Sequence, residues 1–466
     1  MEGLEAWMPH TQSPGREPTL SVFDAVVILV GIVVGIGIFR TPSLVAAHVE
    51  SEAAFIAVWV AGGAVTLVGA LCYAELAAAH PHAGGEYHFL SRAYGRPVAM
   101  LFGWARGTVI QTGAIAGVAF VLGDYAAHAL PAGPHGPALY AALAVIVLTG
   151  VNVAGTFQGK TLQIAVTILE IAAILAIIAF GLSGTATPPV PPAETAPAQA
   201  AGLGMAMIFV LLTYGGWNEA SYLTGELRDA QRSIPRVLLA GTAFIVALYV
   251  LVNLALLMVL GLEGLRASPA VAADMMQRVA GPAGAGLVTA AIVVAAVSTL
   301  NATIFTGART CAAMAEDITV LARLGRWSGR GRTPANGLLA QGAIALALVG
   351  LGAVTQDGFR AMVDYTAPVF WAFLLLVGIA LFVLRRREPR RVLPYRVPLY
   401  PLTPLLFCLT CLYMLHASIA YTGMGALAGL AVVAAGTPLL LFRRREEREP
   451  AATLPAGKAA LSRPTR

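Results

Sequence analysis

Twelve stretches of this chain run for roughly 20 residues or more with almost no charge, and a polypeptide with so many such stretches has one solvent to fold in, the lipid bilayer. They are 22–47, 54–79, 98–129, 138–157, 161–182, 202–226, 236–260, 283–313, 336–354, 362–384, 401–421 and 424–442. Composition agrees: 12% of the residues are charged and 58% hydrophobic, against about 25% and 45–50% in soluble domains. This excludes intrinsic disorder, a nucleic-acid-binding domain and a soluble enzyme. The expected fold class is an all-α integral membrane protein with twelve transmembrane helices. The first 20 residues contain no apolar core of a signal peptide, so none is expected to be cleaved.

Lys and Arg set the expected orientation. With the N-terminus in the cytoplasm, only Arg266, Arg278 and Arg360 of the 30 basic residues fall in outer loops, and only Arg40, Arg106 and Arg309 within spans. Both termini are therefore expected inside, in a plasma (cell inner) membrane. The isoelectric point near 9.3 then reflects the inner loops rather than a nucleic-acid partner, with anionic lipid head groups as a secondary contact. The expected layout is a tail at 1–21, five helices over 22–182, a Pro/Ala-rich outer connection at 183–201, five helices over 202–384, a basic inner loop at 385–400, two helices over 401–442 and a tail at 443–466.

Glycine interrupts two spans at corresponding places. The first span reads Gly31-Ile-Val-Val-Gly35-Ile36-Gly37-Ile-Phe39 and then Pro42; the sixth reads Leu212-Thr213-Tyr214-Gly215-Gly216-Trp217-Asn218-Glu219. They open two successive blocks of five helices, and an odd number per block inverts the second block in the membrane. A mid-membrane break frees N–H and C=O groups that hydrocarbon cannot satisfy, so it is tolerated where it lines a polar cavity. N–H groups at a half-helix start suit a carboxylate, and freed carbonyls suit an ammonium. Close helix packing is the alternative use of Gly31-x-x-x-Gly35 and of Gly62-Gly63.

Five stretches in order, 31–39, Pro-His-Ala-Gly-Gly-Glu-Tyr at 81–87, Tyr-Gly-Gly-Trp-Asn at 214–218, Gly-Glu-Leu-Arg-Asp-Ala-Gln-Arg-Ser-Ile-Pro at 225–235 and 394–404, resemble the amino acid–polyamine–organocation superfamily, within it the L-type amino acid transporter-like branch and its bacterial relatives. The resemblance implies a five-plus-five inverted repeat, alternating access, and an amino acid held between the unwound parts of the first and sixth helices. Carried over by position, the N–H groups of Ile36 and Gly37, beside Gly35, hold the carboxylate; the carbonyls of Val33, Leu212 and Thr213 meet the ammonium near Gly215; and Asn218 couples the two segments. Two positions depart from the pattern: Ile36 replaces a small polar residue, and Leu212 stands where some relatives carry a gate aromatic.

Two acidic residues are candidates for coupling. Glu170 lies about 14 Å inside the fifth span at 1.5 Å per residue. By the resemblance it occupies the place of a lysine, so the charge is reversed. A carboxylate at that depth carries a proton, holds a cation or pairs with Arg106 or Arg309. Glu219 directly follows the sixth-span break and either biases the pathway toward cationic side chains or is satisfied by freed backbone. Arg40 is expected to snorkel toward the outer surface, and Asp24, Glu75, Asp124 and Asp364 to sit at interfaces.

His80, His82 and His88 lack the cysteines that would make a zinc site convincing, and Cys72, Cys311, Cys408 and Cys411 lie in apolar spans as small buried residues. No metal or cofactor is expected. Nor is a disulfide-linked ancillary subunit, since the outer 3–4 loop has no cysteine. With no P-loop and no cluster of catalytic residues at matched depth, the expected function is a secondary transporter of amino acids, neutral ones first, driven by exchange or by a proton. The alternatives are a cationic amino acid or polyamine antiporter and, more remotely, a non-transporting sensor.

Overall fold

The computed structural model describes residues 20–442 apart from 83, 155–159, 184–201, 226, 318–333 and 356; of Ile36 and of 160–165, 308–317 and 441–442 only the backbone is described. The N-terminal tail, most of the Pro/Ala-rich connection, Glu226, the C-terminal tail and the side chains of Arg309 and Cys311 lie outside the described residues. Among the described residues the structure is helical, and its β pairing is one isolated bridge between Leu20 and Leu227.

The helices in chain order are α1 (Val22–Val33), α2 (Thr41–Ala46), α3 (Glu52–Ala79), α4 (Gly85–Tyr94), α5 (Arg96–Ala129), α6 (Gly136–Ala154), α7 (Lys160–Leu182), α8 (Gly202–Thr213), α9 (Ala230–Ala267), α10 (Val271–Asp317), α11 (Ala335–Val354), α12 (Gly358–Arg387), α13 (Leu402–Thr422) and α14 (Met424–Ala435). Eight described helices are long and apolar enough to cross a membrane. The other four expected spans are accounted for differently. The first and sixth are broken, α7 is described in full only from Val166 onward, and α14 passes into a 3-10 turn, Thr437–Phe442. Two expected ends shift: α9 runs past Gly261 and α10 begins before Gly281, and at both glycines the chain turns at φ 67°. Apolar content marks where a span crosses the bilayer; it does not report the helical turns that continue beyond it.

Local sequence explains the ends. Ser21 caps α1 by accepting from the Asp24 N–H at 3.2 Å, while the Asp24 carboxylate accepts from the Ser21 N–H at 3.1 Å. This reciprocal box satisfies donors the first turn leaves free. Small residues then decide how closely helices approach. A Cβ on Gly62 would lie 2.4 Å from Val210 of α8, and one on Gly63 2.5 Å from Val246 of α9. Those two glycines therefore serve packing. α3 lies along α9, α10 along α5 and α7, and α12 along α13, while α1 packs on α7 and α9, and α8 on α3 and α13, all of them longer helices.

Candidate functional site

α1 stops where its glycines begin. The Val34 N–H makes the last helical bond, to the Val30 carbonyl at 2.7 Å, and Gly35 is extended at φ −96°, ψ −176°. A 3-10 turn, Ile36–Phe39, follows without a side-chain cap. Its first N–H groups, those of Ile36 and Gly37, precede any acceptor in their own turn. The Val33 carbonyl accepts from the Gly35 N–H at 2.7 Å and from the Tyr249 hydroxyl at 2.8 Å, which uses both its lone pairs.

α8 ends in the same manner. The Gly215 N–H donates to the Leu212 carbonyl at 3.0 Å, Gly216 adopts φ 101°, and a 3-10 segment, Trp217–Gly225, follows. A side chain at Gly216 would be strained, because L-residues rarely take that conformation. The two breaks lie side by side. A Cβ on Gly216 would sit 3.4 Å from both Ile32 and Val33, and one on Gly37 3.8 Å from Thr213. The Thr213 hydroxyl donates to Thr41 at 2.7 Å, tying the end of α8 to α2. Trp59, Tyr214 and Tyr249 stand together behind the breaks, with the two tyrosine rings 5.2 Å apart.

Gly31 and Gly35, grouped together in the sequence, do different work. A Cβ on Gly31 would lie 2.3 Å from the Thr167 hydroxyl of α7, whereas one on Gly35 would make only ordinary contacts, with Thr299 of α10 at 3.7 Å and the Val33 carbonyl at 3.9 Å. The first glycine packs and the second opens. Glu170 is buried beside this place, and its recorded partner among the described residues is the Thr299 hydroxyl at 3.5 Å. The expected pairing with Arg106 is not formed, and the Arg309 side chain lies outside the described residues.

Arg106 points elsewhere, and this corrects two expectations. It opens a π-helical turn, Arg106–Ile110, within α5. It donates to both Glu219 oxygens at 2.7 Å and reaches Glu86 at 3.5 Å. Glu219 is thus satisfied by a guanidinium rather than by freed backbone. Glu86 also accepts from the Tyr73 hydroxyl at 2.6 Å, the Asn218 amide at 3.0 Å and the Tyr222 hydroxyl at 3.1 Å. Burial raises the Glu86 carboxyl, and Arg106 pulls it back down in part. Two carboxylates around one guanidinium join α4, α5 and the segment just after the α8 break. Sequence reasoning missed Glu86, although it stands in the Gly-Gly-Glu-Tyr stretch that carried the resemblance.

Arg40 and Glu75 are corrected too. Arg40 does not snorkel; it bridges Asp357 at 2.9 Å and Asp124 at 3.5 Å and so ties the segment after the α1 break to α5 and to the start of α12. Glu75 is buried near the end of α3 and forks with Arg385 at 2.6 and 2.5 Å. In each case a carboxylate removed from water is held by the planar donor that matches it. His80, His82 and His88 form a ring cluster, with His82 and His88 stacked at 4.4 Å. Burial pushes His80 down to about 4 and His88 down to about 3, which leaves both neutral at pH 7.

A family model described as amino acid permease matches residues 20–437. The chain belongs to the amino acid permease family. It is 29% identical to the b(0,+)-type amino acid transporter 1 of Mus musculus over 408 residues, which cover 86% of this chain and 82% of that one. To the serine/threonine exchanger SteT of Bacillus subtilis it is 26% identical, over 92% of this chain and 98% of that one. To the large neutral amino acids transporter small subunit 2 of Mus musculus it is 27% identical, over 90% and 80%. These relatives are transporters, not enzymes. With eight described apolar helices of spanning length, this permease is a multi-pass membrane protein that serves amino acid transport.

Proposed function

We propose that this permease is a secondary transporter that moves neutral amino acids across the plasma membrane by alternating access. The observation that carries the reading is the contact of the two breaks, in which Gly37 faces Thr213 and Gly216 faces Val33. The substrate carboxylate sits on the Ile36 and Gly37 N–H groups beside Gly35. Its ammonium is received by the Thr213 carbonyl and the remaining lone pair of Leu212, near Gly215, because the Val33 carbonyl is already engaged. Asn218, bonded to Glu86, links this place to the charged network below it.

The reading includes twelve spans, with 22–182 and 202–384 as inverted repeats, the two added helices over 401–442, and both termini cytoplasmic. The five-span offset of the breaks and the inner bias of Lys and Arg support it. Neutral substrates are favoured because Arg106 neutralises Glu219 and because the relatives include a serine/threonine exchanger and a large neutral amino acids transporter. Counterflow into proteoliposomes tests this. Labelled serine or leucine is expected to enter against internal substrate, with arginine, agmatine and putrescine taken up poorly. Preferential uptake of the cations instead establishes the cationic antiporter, the reading that an unpaired Glu170 would favour.

Glu170 supplies the coupling proton in this scheme. It is a buried carboxyl whose partner among the described residues is a hydroxyl, placed one side chain from Gly35. An inward proton gradient is expected to stimulate uptake by the parent, and Glu170→Gln to abolish that stimulation while keeping exchange. A pH profile unchanged in the variant would refute the role.

A further inference from the structure

A pocket of about 230 Å³ opens between the end of α3, the end of α12 and the segment that joins α12 to α13. Its polar wall is Glu75, His80, Arg385, Glu388, Arg391 and Arg396, and its apolar floor includes Leu381 and Leu384. At roughly 30 Å³ per water, it has room for a phosphate group and the glycerol carbons next to it. The pocket lies away from the two breaks, and nothing in the transport scheme uses it.

The wall is built and its charges are mostly positioned. The Glu75 fork holds Arg385, whose guanidinium lies 3.7 Å from the Tyr400 ring centroid. Arg391 is held by Glu388 at 2.9 Å and by the Ala79 carbonyl, and Glu388 also takes Arg92 at 2.7 Å. Arg396 is exposed on the rim and has no acidic partner among the described residues. The wall therefore carries an excess of positive charge. Within the wall, His80 is buried, with its Nε2 3.8 Å from Glu388.

Outside the pocket lining, the chain from Arg391 to the start of α13 also exposes apolar side chains. Val392, Leu399 and Leu402 are 84%, 77% and 64% exposed on the same segment. Apolar side chains interleaved with arginines between two spans belong at the level of lipid head groups, where acyl chains cover the former and phosphates meet the latter. A zwitterionic head group would bring its own cation against a wall already positive. We propose that this pocket binds the phosphate of an anionic phospholipid, with Arg396 and Arg391 as the donors that face it. The assignment rests on the cytoplasmic placement of this segment given above.

Titrating the purified full-length protein with phosphatidylglycerol, and counting retained lipids by native mass spectrometry, tests the site. Arg396→Gln is expected to weaken retention about five-fold, the effect of about 1 kcal/mol per basic residue near an anionic surface. Arg232→Gln, which removes an arginine that is 80% exposed in the first turn of α9, is expected to leave retention unchanged. Equal retention by Arg396→Gln and the parent, or equal retention of phosphatidylcholine, would overturn the assignment. Displacement of the lipid by millimolar inorganic phosphate would overturn it in favour of a free phosphate. Labelling of Arg396→Cys from either side of sealed vesicles reports the orientation separately, so a failure of that reading is distinguishable from a failure of the lipid titration.

Discussion

Arg106→Gln is expected to lower stability by about 3 kcal/mol, the lower part of the range for removing one partner of a buried ion pair. The Arg106 side chain is 7% exposed and that of Glu86 5%, so both stand in a poorly hydrated place; the lower figure is chosen because Glu219 is 30% exposed and keeps some water. Without the guanidinium, two carboxylates face each other across the junction of α4, α5 and the segment after the α8 break. Glu86 retains Tyr73, Asn218 and Tyr222 as donors, so Glu219 bears more of the loss. Arg106→Gln combined with Glu219→Gln is therefore expected to recover most of the stability, and a double-mutant cycle by denaturant or thermal unfolding in detergent should give a coupling above about 1 kcal/mol. Arg106→Lys is expected to fall between, since an ammonium has one nitrogen where the guanidinium uses one on Glu219 and another on Glu86. A single variant as stable as the parent would show that the network holds nothing. Transport should separate from stability: the single variant, which leaves Glu219 without its guanidinium, is expected to take up cationic substrates better than the double variant, which carries no charge at either position.

Gly37→Val is expected to reduce substrate binding by about 10–100-fold while the protein remains folded. The magnitude follows from the 1–3 kcal/mol typical of extra methyl groups in a filled space. Gly37 lies outside the left-handed region, so valine meets no backbone penalty there, and its Cβ would project toward Thr213 at 3.8 Å. The added methyls would occupy the gap between the breaks. Gly37→Ala, in ordinary contact distance, should be tolerated far better. Gly31→Val provides the contrast: its Cβ would lie 2.3 Å from Thr167, so lost stability is expected there rather than a specific binding defect. Isothermal titration together with melting curves separates the two outcomes, and equal binding by Gly37→Val and the parent would remove the site from between the breaks.

Much of this was readable in advance, for a specific reason. In hydrocarbon every backbone group must be satisfied within its own helix, so the sequence has to advertise any place where the helix stops. Gly35, Gly37, Gly215 and Gly216 did so, and the structure breaks α1 and α8 at those residues. Gly31 and Gly62 carry the same letter with another meaning, and only the neighbour each one faces, Thr167 or Val210, tells packing from opening.

The charged residues in and beside the spans were visible in the sequence but not as pairs. Arg40 meets an aspartate 317 residues away, Arg385 a glutamate 310 residues away, and Arg106 a glutamate 113 residues away. No spacing rule reaches so far, because those separations are set by how helices pack rather than by the pitch of any one of them. The sequence by itself determined that the chain is a helical membrane protein and where two of its helices break. Tertiary structure alone decided which charge neutralises which, leaving Glu170 with a hydroxyl beside the breaks while Glu219 is claimed by Arg106, since a buried charge is settled by whatever partner the fold brings within a few ångströms.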